Sequence, residues 1–170
     1  MILFFFHLFC FVVLLPSAIQ LFSQEPHRFT IPKIKAVPQI DGKLDDDCWI
    51  KAAVAKNFRQ RRPLEGAFAT EKTEVRICRN EKVLYIGARC FDSQPDKIRA
   101  GVMQRDAPVK GDDYFFVLLD PFQRSREGYY FRTNPNGAKG EALINSDMGK
   151  PNMDWDTIWE VRSQRDELGW

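Results

Sequence analysis

The chain has 170 residues, with 25 Lys+Arg against 23 Asp+Glu, two His, four Cys and 44% apolar residues. That length suits one domain, and a net charge of +2 is too small to argue for nucleic acid or an anionic membrane as partner on electrostatics alone. A charged fraction of 28% beside 13% aromatics is not the composition of a disordered chain.

Residues 1–23 contain no Lys, Arg, Asp or Glu. The apolar run from Ile2 to Leu15 breaks at Pro16, and Ser17, Ala18, Gln20, Ser23 and Gln24 follow. That order predicts a secretory signal peptide over 1–23, cleaved after Ser23 or, alternatively, Ala18. An uncleaved membrane anchor is the competing reading, because the segment is long enough to span. Cys10 lies inside the apolar run and not after it, which disfavours a lipoprotein. Export makes disulfides permissible and leaves Cys48, Cys78 and Cys90 in the mature chain.

Residues 25–40 read as extended, with Pro26, Pro32 and Pro38 restricting them to edge or irregular strand. Asp41-Gly42 is a turn signal. Leu44, Cys48 and Ala52 recur at i, i+4 and i+8, and the Asp45–Asp47 cluster suits a helix N-terminus. A short helix is predicted from Asp45 to Ala52, with Trp49 packed on the core; an exposed binding tryptophan is the alternative. Residues 59–72, with Pro63 and Gly66, read as a loop, and Arg59, Arg61 and Arg62 as its solvated face.

Strands are predicted at Thr73–Arg79, Val83–Phe91, Ile98–Gln104, Tyr114–Leu119, Gly128–Thr133, Glu141–Asn145 and Thr157–Ser163. Tyr114–Leu119 is nearly continuously apolar, as in a strand buried on both faces. Aligning the apolar faces of the first two strands pairs Val75 with Ile86 and Ile77 with Leu84. Cys78 and Cys90 then lie on opposite faces, ~20 Å apart along the strand. A disulfide needs Cα atoms within ~7 Å, so this pair is expected to be free, and Cys48 with Cys90 stays open. Short strands at fairly even spacing predict an all-β fold, an antiparallel β-sandwich of jelly-roll type with one short helix near its start.

His7 and His27 are the two histidines, one in the apolar segment and one in the proline-flanked arm. That argues against Ser-His-Asp or Cys-His nucleophile systems and against a His-ligated zinc or iron site. Neither a GxxxxGK[ST] loop nor GxGxxG occurs, so the sequence carries no nucleotide fingerprint. The remaining carboxylate, amide, guanidinium and aromatic groups suit sugar binding, calcium binding or glycosidic hydrolysis.

The stretches IDGKLDDDCW (40–49), PLEGAFATEKTEVRI (63–77), VLYIGARCFD (83–92), DDYFFVLLDPF (112–122), YYFRTNPNGAKGE (129–141) and WDTIWE (155–160) carry a resemblance. The sequence resembles the family 9 carbohydrate-binding module, in particular the amino-terminal module of large bacterial exported and outer-membrane proteins. The resemblance spans nearly all of residues 31–170 and implies a jelly-roll sandwich for residues 24–170. It also implies binding of plant-type polysaccharides or oligosaccharides, association with glycoside hydrolases and, in some members, structural calcium. Related sequences continue into another strand past Trp170, so a carboxy-terminally truncated module is expected. Cys48 stands where small or acidic residues are usual, and residues 147–154 read as a lengthened loop.

A pyranose offers an apolar face to an aromatic ring and a rim of hydroxyls to charged or amide groups. Trp155 and Trp159 flank Thr157 and fall on one face if the segment is extended. Trp155, Arg105, Asp113, Asn134 and Trp159 are the candidate sugar-binding residues. For Arg105 and Asp113 the competing role is a loop of solvated charges or a structural ion pair, for Asn134 turn formation, and for Trp159 the core. Asp92, Asp96, Asp147, Asp154 and Asp156 are candidate oxygen ligands for calcium. The leading reading is a non-catalytic carbohydrate-binding module of an exported glycan-degradation system, periplasmic, outer-membrane-associated or extracellular. It would meet a membrane only through the signal segment or a missing carboxy-terminal region. The alternatives are a glycoside hydrolase with paired carboxylates and an interaction domain of an outer-membrane protein.

Overall fold

The computed structural model describes residues 28–123, 126–145 and 151–170. The expected signal segment with His7 and Cys10, together with His27 and Asp147, lies outside them. The described chain is mostly β, in two antiparallel three-stranded sheets.

The first sheet has the order β1 (Ala53–Ala55), β2 (Thr73–Arg79), β3 (Leu84–Cys90). The β2–β3 hairpin forms as predicted, but Ile77 pairs with Ile86 and Val75 with Ala88, two residues away from the predicted register. The turn decides this. Asn80 Oδ1 accepts from the Lys82 and Val83 N–H groups, both at 2.8 Å, and Asn80 N–H donates to the Val83 carbonyl. A four-residue connection results, and apolar patterning alone does not distinguish registers that differ by two. The faces are unaffected by such a shift, so Cys78 and Cys90 still lie on opposite sides of the sheet, and both are free.

The predicted helix is shorter than expected, one turn over Asp47–Ile50 (α1), because the chain passes into β1 at Ala53. It brings Cys48 and Trp49 onto the sheet, where Ile34, Ala52, Cys78 and Tyr85 complete a buried cluster with Leu44 packed against it. Trp49 is in the core, 3% exposed. Gly87 permits this approach: a Cβ there would overlap Leu44 Cδ2 and lie 3.3 Å from Trp49 Cη2. In the polar loop, the Arg59 guanidinium sits 3.5 Å from the centre of the Phe68 ring, so that arginine covers an aromatic face.

The second sheet has the order β4 (Phe115–Leu119), β5 (Glu127–Thr133), β6 (Lys139–Asn145). Contrary to expectation, β4 is buried on one face only: Phe116 and Leu118 are 50% and 55% exposed. It is an edge strand, and among the described residues no layer covers its outer face.

Two predicted strands are absent. Residues 98–104 follow a 3-10 turn at Pro95–Lys97 and form no ladder, because side chains take their backbone groups. Asp113 Oδ2 accepts from Arg99 N–H at 2.7 Å, and the two Asp112 carboxylate oxygens accept from Gly101 and Val102 N–H, each at 2.9 Å. Asn136 and Asn134 donate to the Ala100 and Val102 carbonyls. Residues 157–163 are extended without strand pairing. Their burial still alternates, with Trp155, Thr157, Trp159 and Val161 inward and Ile158 fully exposed. The tail returns to the free edge of β3, where Cys90 and Trp170 exchange backbone hydrogen bonds of 2.8 and 3.0 Å.

Candidate functional site

The strand period places Phe131 opposite Glu141 and Tyr129 opposite Leu143, so these four share one face of the second sheet. The extended 155–161 segment lies over that face. Trp155 is tilted against Tyr129, with centroids 5.2 Å apart, and meets Phe131 edge-on at 6.2 Å; Trp159 meets Phe131 edge-on at 5.3 Å. One phenyl ring thus seats both indoles.

Trp159 Nε1–H donates to Glu141 Oε2 at 3.0 Å. Glu141 is 1% exposed, and its other oxygen accepts from Arg105 Nη2, which also donates to Asp156 Oδ1. The Arg105 Nε lies 3.3 Å from Asp106 Oδ2. Residues 105–106 are latched to the edge of β6: Asp106 N–H donates to the Lys139 carbonyl at 3.0 Å, and Glu141 N–H donates to Asp106 Oδ1 at 3.3 Å. Asp106 adopts φ 59°, a left-handed conformation that Asp tolerates better than most residues. Lys139 Nζ donates to the Trp159 carbonyl at 2.9 Å and lies 5.5 Å from the indole centre.

These groups line a concavity of about 310 Å³ whose wall is Arg105, Lys139, Asp156, Thr157, Ile158 and Trp159. The hydrogen bond to Glu141 holds the Arg105 guanidinium still more firmly protonated than usual. Desolvation pushes the Asp156 carboxyl up, but its hydrogen bond with Glu141 and the Arg105 charge outweigh that, and the net shift is downward. The wall combines an aromatic ring, a cation already oriented by carboxylates, and hydroxyl and carboxylate acceptors.

Of the residues singled out from sequence, Arg105 and Trp159 come together here, with Trp155 beside them but not in the wall. Asp113 lines a different, larger concavity of about 500 Å³. That one has no aromatic wall, and its carboxylates are engaged locally: Glu71 with Ser93, Asp92 with Gln94 N–H, Asp112 with Gly101 and Val102. The two backbone N–H groups hold Asp112 below the usual carboxylate range. Arg105 and Asp113 therefore do not converge on one rim. Asn134 is fully buried. Its amide donates to the Val102 carbonyl at 2.8 Å and Asp112 Oδ2 at 3.0 Å, and its oxygen accepts from Asn136 and Ala138 N–H. It builds the turn between β5 and β6 and has no group left to offer a ligand.

Glu141 and Lys139 were missed from sequence. The available signal was a carboxylate in mid-strand between Gly140 and Ala142, at a position whose strand neighbours are inward. Among the described residues no group of three or more His, Cys, Asp or Glu side chains is arranged to hold a metal ion. Asp92 accepts from Gln94 N–H and Asp156 from Arg105, so these two expected calcium ligands have separate partners. Compared with models of known families, with curated proteins and with solved structures, the chain matches none.

Proposed function

We propose that the chain is a non-catalytic carbohydrate-binding module, its two sheets stacked as a jelly-roll-like sandwich of the family 9 kind, serving an exported glycan-degradation system. The observation that carries this reading is the Trp159 indole, pinned by Glu141 and set in a concave wall with Arg105, Lys139 and Asp156. An indole face suits the C–H face of a pyranose, and charge-assisted donors and acceptors suit its hydroxyls. Glu141 Oε1 and Asp156 Oδ1 both accept from Arg105 Nη2, so one guanidinium holds both carboxylates beside the ring.

Affinity electrophoresis and calorimetry against xylan, cellulose and their oligosaccharides test the proposal. Binding weakened at least tenfold by Trp159→Ala, in a variant with an unchanged circular dichroism spectrum, is the expected result. Absence of binding to the whole panel by the folded parent overturns it. A second reading, an interaction domain of an outer-membrane protein, draws on the exposed aromatic face of Tyr114, Phe116 and Leu118. Reduced membrane-fraction recovery of a Phe116→Ser, Leu118→Thr variant with glycan retention intact would favour it.

A further inference from the structure

Cys48 and Cys78 stand 6% and 0% exposed in one buried cluster. Sequence left open a link from Cys48 to Cys90, but the fold puts Cys90 on the opposite face of the first sheet, paired with Thr73. Two observations place Cys48 over Cys78 instead. Arg76 and Cys78 share a face of β2, and Arg76 Nη1 donates to the Trp49 carbonyl at 2.9 Å, which anchors α1 above that face. The Cys48 thiol is also near enough to Cys78 to help raise it, within the same buried cluster. We propose that these two thiols are a disulfide site, closing α1 onto the central strand of the first sheet.

The reaction exchanges two S–H bonds for one S–S bond. The two electrons and two protons pass to a disulfide oxidant such as oxidised glutathione, which leaves as two thiols. The attacking species is a thiolate, and burial disfavours it here: desolvation, with Asp46 nearby, raises the Cys48 thiol, and desolvation with Cys48 alongside raises Cys78. Oxidation therefore accompanies folding, before the cluster closes, and the finished bond is shielded from soluble reductant. Burial also pushes Cys90 up to about 11, and it stays a thiol.

The site is independent of the glycan-binding reading and of where the chain resides, so refolding in vitro tests it directly. The full chain is unfolded and reduced, refolded with excess oxidised over reduced glutathione, alkylated in denaturant and mapped by mass spectrometry without reduction. The expected map joins the Cys48 and Cys78 peptides, lighter by two hydrogens, and leaves Cys90 alkylated. The denaturant midpoint of the oxidised chain falls to that of the reduced chain when reductant is added together with denaturant. Cys48→Ala abolishes the joined peptide without creating one between Cys78 and Cys90. A refolded chain with β-type circular dichroism in which Cys48 and Cys78 are both alkylated, or either is joined to Cys90, overturns the proposal.

Discussion

The indole N–H of Trp159, on a segment outside any strand, donates at 3.0 Å to the carboxylate of Glu141 in the middle of β6. The bond ties a covering segment to a sheet with which it has no ladder. It also makes Glu141 the shared acceptor of an indole and a guanidinium, so the ring and cation of the proposed binding wall have one buried anchor.

That anchor is asymmetric in cost. Arg105→Met leaves the Glu141 carboxylate buried with its guanidinium partner removed, the costlier of the two defects. Glu141→Gln keeps an acceptor for Trp159, and Arg105, whose side chain is 40% exposed, retains Asp156 and Asp106. Its cost is about 1 kcal/mol. Urea denaturation of both variants at neutral pH is expected to rank Arg105→Met as the less stable.

Asn134→Ala removes four hydrogen bonds from a fully buried side chain and strands the Val102 carbonyl. A loss of about 3 kcal/mol is expected by denaturant unfolding. Glycan retention per folded molecule is expected to be unchanged, which separates a turn-building residue from a ligand contact.

Acid should weaken the fold through its depressed carboxyls. Asp112 is lowered chiefly by Gly101 and Val102 N–H, Asp166 by Arg89 and Leu168 N–H, and Asp156 by Glu141 and Arg105 against its desolvation. A carboxyl whose folded pKa lies below its unfolded value contributes fully above the unfolded value, ~3.9. The contribution disappears as pH falls through the folded value. The denaturant midpoint should be flat from neutrality to about pH 5 and then decline, with a shallower decline in Asp112→Asn.

Gly87→Ala should cost about 2 kcal/mol by overpacking, since the added methyl enters the space of Leu44 Cδ2 near Trp49. In a Leu44→Ala background the same change should cost much less. A double-mutant cycle in urea measures that coupling.

The legible parts of this molecule were those governed by the local period. Thr73–Arg79 reads as a strand, and the alternation along 155–161 holds even where ladder pairing fails, because both depend on near neighbours. Residues 98–104 have strand-like composition but lie beside Asp112, Asp113, Asn134 and Asn136, whose side chains satisfy the backbone before a neighbouring strand can. Nothing within that segment announces those competitors.

Patterning by itself determined the β-rich class, the β2–β3 hairpin, the inward Trp49 and the shared orientation of Trp155 and Trp159, since each follows from a side chain's periodicity relative to its neighbours. Tertiary packing alone decided which polar groups meet: Arg105 with Glu141 and Asp156, Asp113 in another concavity, Asn134 inside a turn, and Cys48 over Cys78. Those meetings join residues far apart in the chain, and they are selected by the requirement that every charge and amide withdrawn from water find a partner.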